Sequence, residues 1–296
     1  MDKERVKALL SLLDDPDEEI CQEVITQLKS KGKELVPTLK YAVNQTDNNL
    51  VINRLQWIIN DINFESFTRD LFSWLERPKD LLMLLIHIAK IDNPDINSDE
   101  IIEKCDILSR DIAERLYENL TAPERISIIN YFLFVKEGIE VIPWSRQEPA
   151  HFMIDQFFKH KKCSMLFITI FYLIISKKIG IALYGINIPE NNLLAFLNQT
   201  FFIDSTVKAT TTPALFYINP GNYGSILGQT ELENLLTGRG YKCIPSFFEP
   251  TNNIFYLKKL IAELRYIYEV INETDKVARI EHLSCTIAKY LKNIKK

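Results

Sequence analysis

The sequence predicts an α+β fold, predominantly helical. One buried helix packs on a small antiparallel sheet, and further helices are added at both ends. Three observations carry this prediction. Met165 to Ile175 is an almost unbroken apolar run, interrupted only by Thr169. It falls short of the roughly 20 apolar residues of a membrane span and fits a buried core helix. Short β-type runs follow it (IALYGINI, NLLAFL, FFID and LFYINP), separated by turn signals at Pro189, Asn198-Gln199 and Pro220-Gly221-Asn222. Before about residue 137 and after residue 250, apolar residues recur at helical spacing.

The central helix is expected over Ser164 to Lys178. Lys177 and Lys178 occupy its last turn and Gly180 lies just beyond, both helix-stop signals. At 296 residues the chain is long enough for two domains, or for one with helical additions. Its 47% hydrophobic and 25% charged residues are ordinary for a globular protein, and the net charge of −4 offers nucleic acid no basic face. The C-terminal KYLKNIKK reads as a solvated helix end. MDKERVKALL is too charged for a signal peptide, and no membrane span follows, so a cytoplasmic location is expected.

Cys21, Cys105, Cys163, Cys243 and Cys285 are scattered and odd in number, which argues against a disulfide framework and a zinc site. His87, His151, His160 and His282 form no HExxH or HxH pattern. His282 and Cys285 stand one helical turn apart, but two ligands do not make a structural site. No metal or other cofactor is expected. His87, inside LLMLLIHIAK, reads as a core histidine bonded to a backbone carbonyl.

Residues 1–62 read as paired helices. Val6, Leu9, Leu10 and Leu13 share one face, Asp15 and Pro16 start the next helix, and Ile20, Val24 and Leu28 align on it. LVINRLQWIINDI should turn Ile52, Leu55, Ile58 and Ile59 inward. Residues 63–137 carry further helices: SFTRDLFSWL, DLLMLLIHIAKI, DEIIEKCDILSRDIAERLYENL and TAPERISIINYFLF. Thr121 and Glu124 form a capping box at the start of the last of these. Phe152, Phe157 and Phe158 direct the helix in HFMIDQFFKHKK against the central one. QTELENLLT is a short helix with Thr230 as its cap. The C-terminal stretch is a helical hairpin broken at Asn272-Glu273-Thr274-Asp275.

The order of these elements resembles the SirB-type branch of the transglutaminase-like superfamily. The matching stretches are KKCSMLFITIFYLIISKKIGIALYGINIPENNLLAFL and LFYINPGNYG, flanked by HFMIDQFFKHKK and YLKKLIAELRYIYEV. The resemblance implies a papain-like core over residues 63–250, with residues 251–296 as a helical hairpin on it. Residues 1–62 resemble about one HEAT-type unit, too few for a solenoid.

This superfamily uses a cysteine at a helix N-terminus, a histidine on the next strand and an aspartate on a third. The matching positions here are Met165, Asn191 and Asn219. A thioether is not a practical nucleophile, and an amide is no base at neutral pH. The resemblance therefore implies a catalytically inactive domain that binds or scaffolds a protein or peptide; from composition, neither nucleic acid nor membrane is expected as a partner. The alternative is a cysteine hydrolase or acyl-transferase using Cys163 with His160 or Asn191. Two helical residues differ by about 200° in direction, so Cys163 would not point where a thiol at residue 165 points. Asp204 falls on an expected strand end nearby. A third reading makes the strands mere support for a helical scaffold.

Overall fold

Apolar residues at three- and four-residue spacing build the first of two units in the computed structural model, which describes residues 3–189, 191–197 and 214–294. This unit comprises Met1–Ser73 with Lys90–Pro94. It contains α1 (Lys3–Leu10), α2 (Glu18–Lys29), α3 (Val36–Val43) and α4 (Asn49–Glu76) as far as Ser73. Leu13, Val24, Leu28, Leu39, Leu55 and Ile58 meet in one buried cluster.

Three local expectations change here. Asp17, not Asp15, caps α2, its carboxylate accepting from the Glu19 N–H at 2.9 Å. Asp15 instead accepts from the Asp17 N–H at 2.8 Å and shapes the turn before it. Ile20 is exposed, and Cys21 and Ile25 complete the buried face with Val24 and Leu28. LVINRLQWIINDI and SFTRDLFSWL form one unbroken helix of 28 residues running through residues 62 and 63. Asn63 is buried, and Lys29 pairs with Asp61 and, at 3.3 Å, with Glu65, so the polar stretch between the two apolar runs holds helix.

The second unit comprises Trp74–Ala89 with Asp95–Lys296. Its leading helices are α5 (Leu81–Ala89), α6 (Ser98–Ala113) and α7 (Ala122–Asn130). The long run expected to stay helical to Leu120 stops at Ala113. At the start of α7 the Glu124 carboxylate accepts from the Thr121 N–H at 2.8 Å and the Thr121 hydroxyl at 2.7 Å. A π turn, Tyr131–Lys136, continues α7. Then come β1 (Glu140–Val141), α8 (Ile154–His160) and β2 (Lys162–Cys163), with β1 and β2 paired in parallel.

The central helix, α9, spans Met165–Lys178. Every residue from Leu166 to Ser176 is buried, so no apolar stripe shows against a polar one. Phe157 of α8 packs on it, with ring centroids 4.8 Å from Phe167 and 4.7 Å from Phe171. A four-stranded antiparallel sheet follows, in the order β3 (Leu183–Ile188), β4 (Asn191–Leu197), β5 (Ala214–Asn219), β6 (Ser225–Leu227).

Both sheet faces are covered. Ile186, Ile188, Leu193, Ala195 and Tyr217 cluster with Leu232 and Leu236 of α10 (Gln229–Gly238). The alternate residues, including Leu194, Phe196 and Ile218, take the face toward α9. Double coverage explains the unbroken apolar NLLAFL run. Gly228, not Thr230, caps α10: its N–H donates to the Glu231 carboxylate at 2.7 Å. The chain ends in α11 (Asn253–Val270) and α12 (Thr274–Ile294), paired as a hairpin. The FFID run with Asp204, and the Asn198-Gln199 turn, lie outside the described residues.

No described helix is long and apolar enough to cross a membrane.

Candidate functional site

At the N-terminal end of α9 the structure brings Met165 to the turn that follows Asn219. Ser164 caps the helix, its hydroxyl accepting from the Phe167 N–H at 3.1 Å, and its own N–H donates to the His151 carbonyl at 2.8 Å. Ser164 is fully buried, so the first turn is fixed in place. Met165 is the first helical residue and is half-buried.

The end of β5 arrives at the same place. Asn219 closes that strand, and its side chain accepts from the Asn222 N–H at 3.2 Å, capping a short 3₁₀ turn over Pro220–Asn222. This turn presses Gly221 onto Met165. A Cβ built on Gly221 would stand 2.6 Å from Met165 Cγ and 3.1 Å from its sulfur. The thioether thus fills the position that faces the turn.

A part-buried relay holds the loop after Asn219. The Gly224 N–H donates to the Asn219 carbonyl at 2.9 Å. Asn130, the last residue of α7, donates from Nδ2 to the Gly224 carbonyl at 2.9 Å and accepts from the Tyr172 hydroxyl at 3.0 Å. Tyr172 is fully buried in α9, and burial pushes its phenol far up.

Asn191 opens β4 opposite Ile188, at the end of the strand that runs beside the Asn219 end of β5; its side chain lies outside the described residues. Its neighbour Asn192 is buried. Thr169, one turn into α9, places its hydroxyl 3.1 Å from the Asn192 carbonyl and 2.9 Å from the Met165 carbonyl. The Asn192 amide oxygen accepts from Lys259 Nζ of α11 at 2.6 Å. Burial lowers the Lys259 ammonium, and the Glu263 carboxylate one turn on opposes that effect. Burial also pushes the Glu263 carboxyl up to about 7, against the pull of Lys259.

Cys163 is not on the helix. It sits on β2, fully buried, its sulfur 3.8 Å from the Glu140 carbonyl. Burial pushes its thiol up, away from the thiolate a nucleophile needs. His160 is exposed in the last turn of α8. His151 has its Nδ1 2.9 Å from the Glu148 N–H, and burial lowers its imidazolium. His87 is buried on α5. Among the described residues no group of three His, Cys, Asp or Glu side chains is placed to hold a metal ion.

The structure thus brings Met165 to the turn that Asn219 caps, and joins Asn192 to the same helix through Thr169. Sequence reasoning missed Gly221, Asn130, Asn192, Lys259 and Glu263. Thr169 was the visible clue, the single polar interruption in the apolar run. Lys259 and Glu263 are four residues apart in an amphipathic helix, a spacing that marks neither of them as drawn inward.

The sequence profile of the transglutaminase-like superfamily matches residues 99–262, more than half of the chain. No curated protein and no solved structure matches it.

Proposed function

The chain belongs to the transglutaminase-like superfamily, and from that premise we propose that it is a catalytically inactive member acting as a protein- or peptide-binding module. Met165 packed against Gly221 at the N-terminus of α9 is the observation that supports this most. A helix N-terminus lowers the pKa of a thiol placed there, and a thioether has no proton to lose. Asn219 commits its side-chain oxygen to the turn that holds Gly221. In this reading Met165, Asn191 and Asn219 occupy the three catalytic positions, no cofactor is used, and the surface around them receives an extended protein segment in the cytoplasm. The reading extends to a SirB-type branch and a HEAT-like start, supported by the paired helices of the first unit.

Two experiments test it. The first is the triple variant Met165→Cys, Asn191→His, Asn219→Asp. If the three positions are the catalytic ones, the thiol introduced at position 165 alkylates with a pKa below that of an ordinary thiol. The double variant that keeps Asn191 should lose the part of this effect that the imidazole supplies and keep the part that the helix N-terminus supplies. Ordinary reactivity of the introduced thiol in the triple variant sinks the assignment. The second is a photo-crosslinking residue at position 165 in cells, with exposed Tyr41 as the control position. A discrete adduct at 165 and none at 41 is expected. Equal labelling, or none, ends the binding-module reading.

The alternative enzyme built on Cys163 draws no support from a fully buried, up-shifted thiol. Alkylation of the native protein at neutral pH should not change with Cys163→Ser. A fast phase lost in that variant would restore it.

A further inference from the structure

At the opposite end of α9 a cavity of about 600 Å³ opens, within the range of small-molecule sites. We propose that it binds an aliphatic carboxylate: an apolar tail on its floor and an anionic head at its mouth. The proposal is independent of how the N-terminal end of the helix is read.

The floor is apolar. Leu82, Leu173, Ile174, Ile181 and Leu183 line it, from α5, α9 and the start of the sheet. One wall is the segment between α4 and α5, fixed by three side chains donating to its carbonyls. Trp74 Nε1 reaches Asp80 at 2.7 Å, Lys177 Nζ reaches Lys79 at 3.2 Å and Asn253 Nδ2 reaches Pro78 at 2.8 Å. The far wall carries the Thr251 and Tyr256 hydroxyls, 3.1 Å apart, with Thr251 also 3.1 Å from the Gly185 carbonyl. The cavity is therefore built before any ligand arrives.

The mouth carries an excess of positive charge in a chain of net charge −4. Lys79, Lys177 and Lys178 all line it. Lys178 pairs with Asp106 at 2.6 Å. Lys177 donates to a backbone carbonyl only, and Lys79 is exposed with no carboxylate partner among the described residues. Asp80 also lines the cavity, and its single carboxylate, held at the start of α5, leaves the three lysines in excess. There it accepts from the Leu82 N–H at 2.9 Å and the Met83 N–H at 3.2 Å. The helix dipole accounts for cations in the last turn of α9. It does not account for Lys79, which belongs to no helix. The apolar floor offers no replacement for the water that the polar atoms of a ligand would lose there, which favours an alkyl chain on it.

Calorimetric titration of the full chain with sodium decanoate, below its micellar concentration, tests this. One saturable site per chain is expected, with 1-decanol binding about fivefold more weakly. Lys79→Glu should weaken decanoate about tenfold and improve decyltrimethylammonium by a similar factor. Ala182→Trp, which fills the half-buried cavity wall, should abolish binding of every probe while the thermal midpoint stays near that of the parent chain. Absence of saturable decanoate binding overturns the proposal. So does equal binding of decanoate and decanol that Lys79→Glu leaves unchanged, because that result describes an apolar surface with no head-group site.

Discussion

One glycine packs against the N-terminal end of α9 and another lines the cavity at its C-terminal end, with opposite results. At the N-terminal end Gly221 lets the Met165 side chain come so close that the two fill the space between helix and turn. At the C-terminal end Gly185 lets the hydroxyls of Tyr256 and Thr251 cross the strand, and the space beyond stays open as the cavity. A Cβ on Gly185 would stand 1.6 Å from the Tyr256 hydroxyl and 2.7 Å from Thr251 Oγ1. Absence of a side chain therefore has no single meaning in this fold. It closes one site by admitting a neighbour and frames another by letting neighbours pass.

Gly185→Ala should produce the largest effect. Tyr256 is buried and cannot swing clear, so a loss of about 3 kcal/mol is expected in urea unfolding. Adding Tyr256→Phe should recover part of it. A neutral Gly185→Ala would mean that the wall of the cavity is loose, and the contrast between the ends would dissolve.

The next effect belongs to the N-terminal end and is read through pH. Glu263 rises from its ordinary 4.5 to about 7 because burial penalises the carboxylate. The folded chain thus holds a proton that the unfolded chain releases. Stability from this group is complete below about pH 4.5 and is lost as pH climbs to about 7. The expected loss is on the order of 2 kcal/mol, allowing for partial solvent screening. Glu263→Gln should flatten that part of the stability–pH curve. An unchanged slope would assign it to other groups and leave the Asn192–Lys259–Glu263 chain without an energetic role.

The smallest effect sharpens the comparison most. Gly221→Ala should cost about 1–2 kcal/mol, since Met165 is flexible enough to give way in part. In a Met165→Ala background the same substitution should cost much less, and the coupling between the two is the measure of how full that end is. Additive costs would mean that the thioether does not occupy the position.

Much of this frame was legible in the chain. The apolar run from Met165, its lysines and Gly180 located the central helix to within a residue, because a fully buried helix needs no polar stripe to be seen. The IALYGINI, NLLAFL and LFYINP runs landed as strands, the last bounded by the turn residues Pro220, Gly221 and Asn222. Caps were less legible. Asp15 and Asp17 are equally good capping residues, and the fold uses the one that lets Asp15 shape the preceding turn. The cavity was invisible for a different reason. Lys79, Leu173, Leu183 and Tyr256 are far apart in sequence, and each has an ordinary local role, so only tertiary packing gives them a common one. The Lys259–Asn192 bond was hidden in the same way: nothing in an amphipathic helix marks which of its lysines will be drawn inward.

Asn130 carries one more consequence. It is the last α-helical residue before the π turn, and it ties the Tyr172 hydroxyl to the loop after Asn219. A π turn holds more residues than an α turn over the same stretch. That wider turn begins immediately after the anchor, so Asn130 keeps its α-helical backbone while Phe132 and Leu133 enter the core from the π turn.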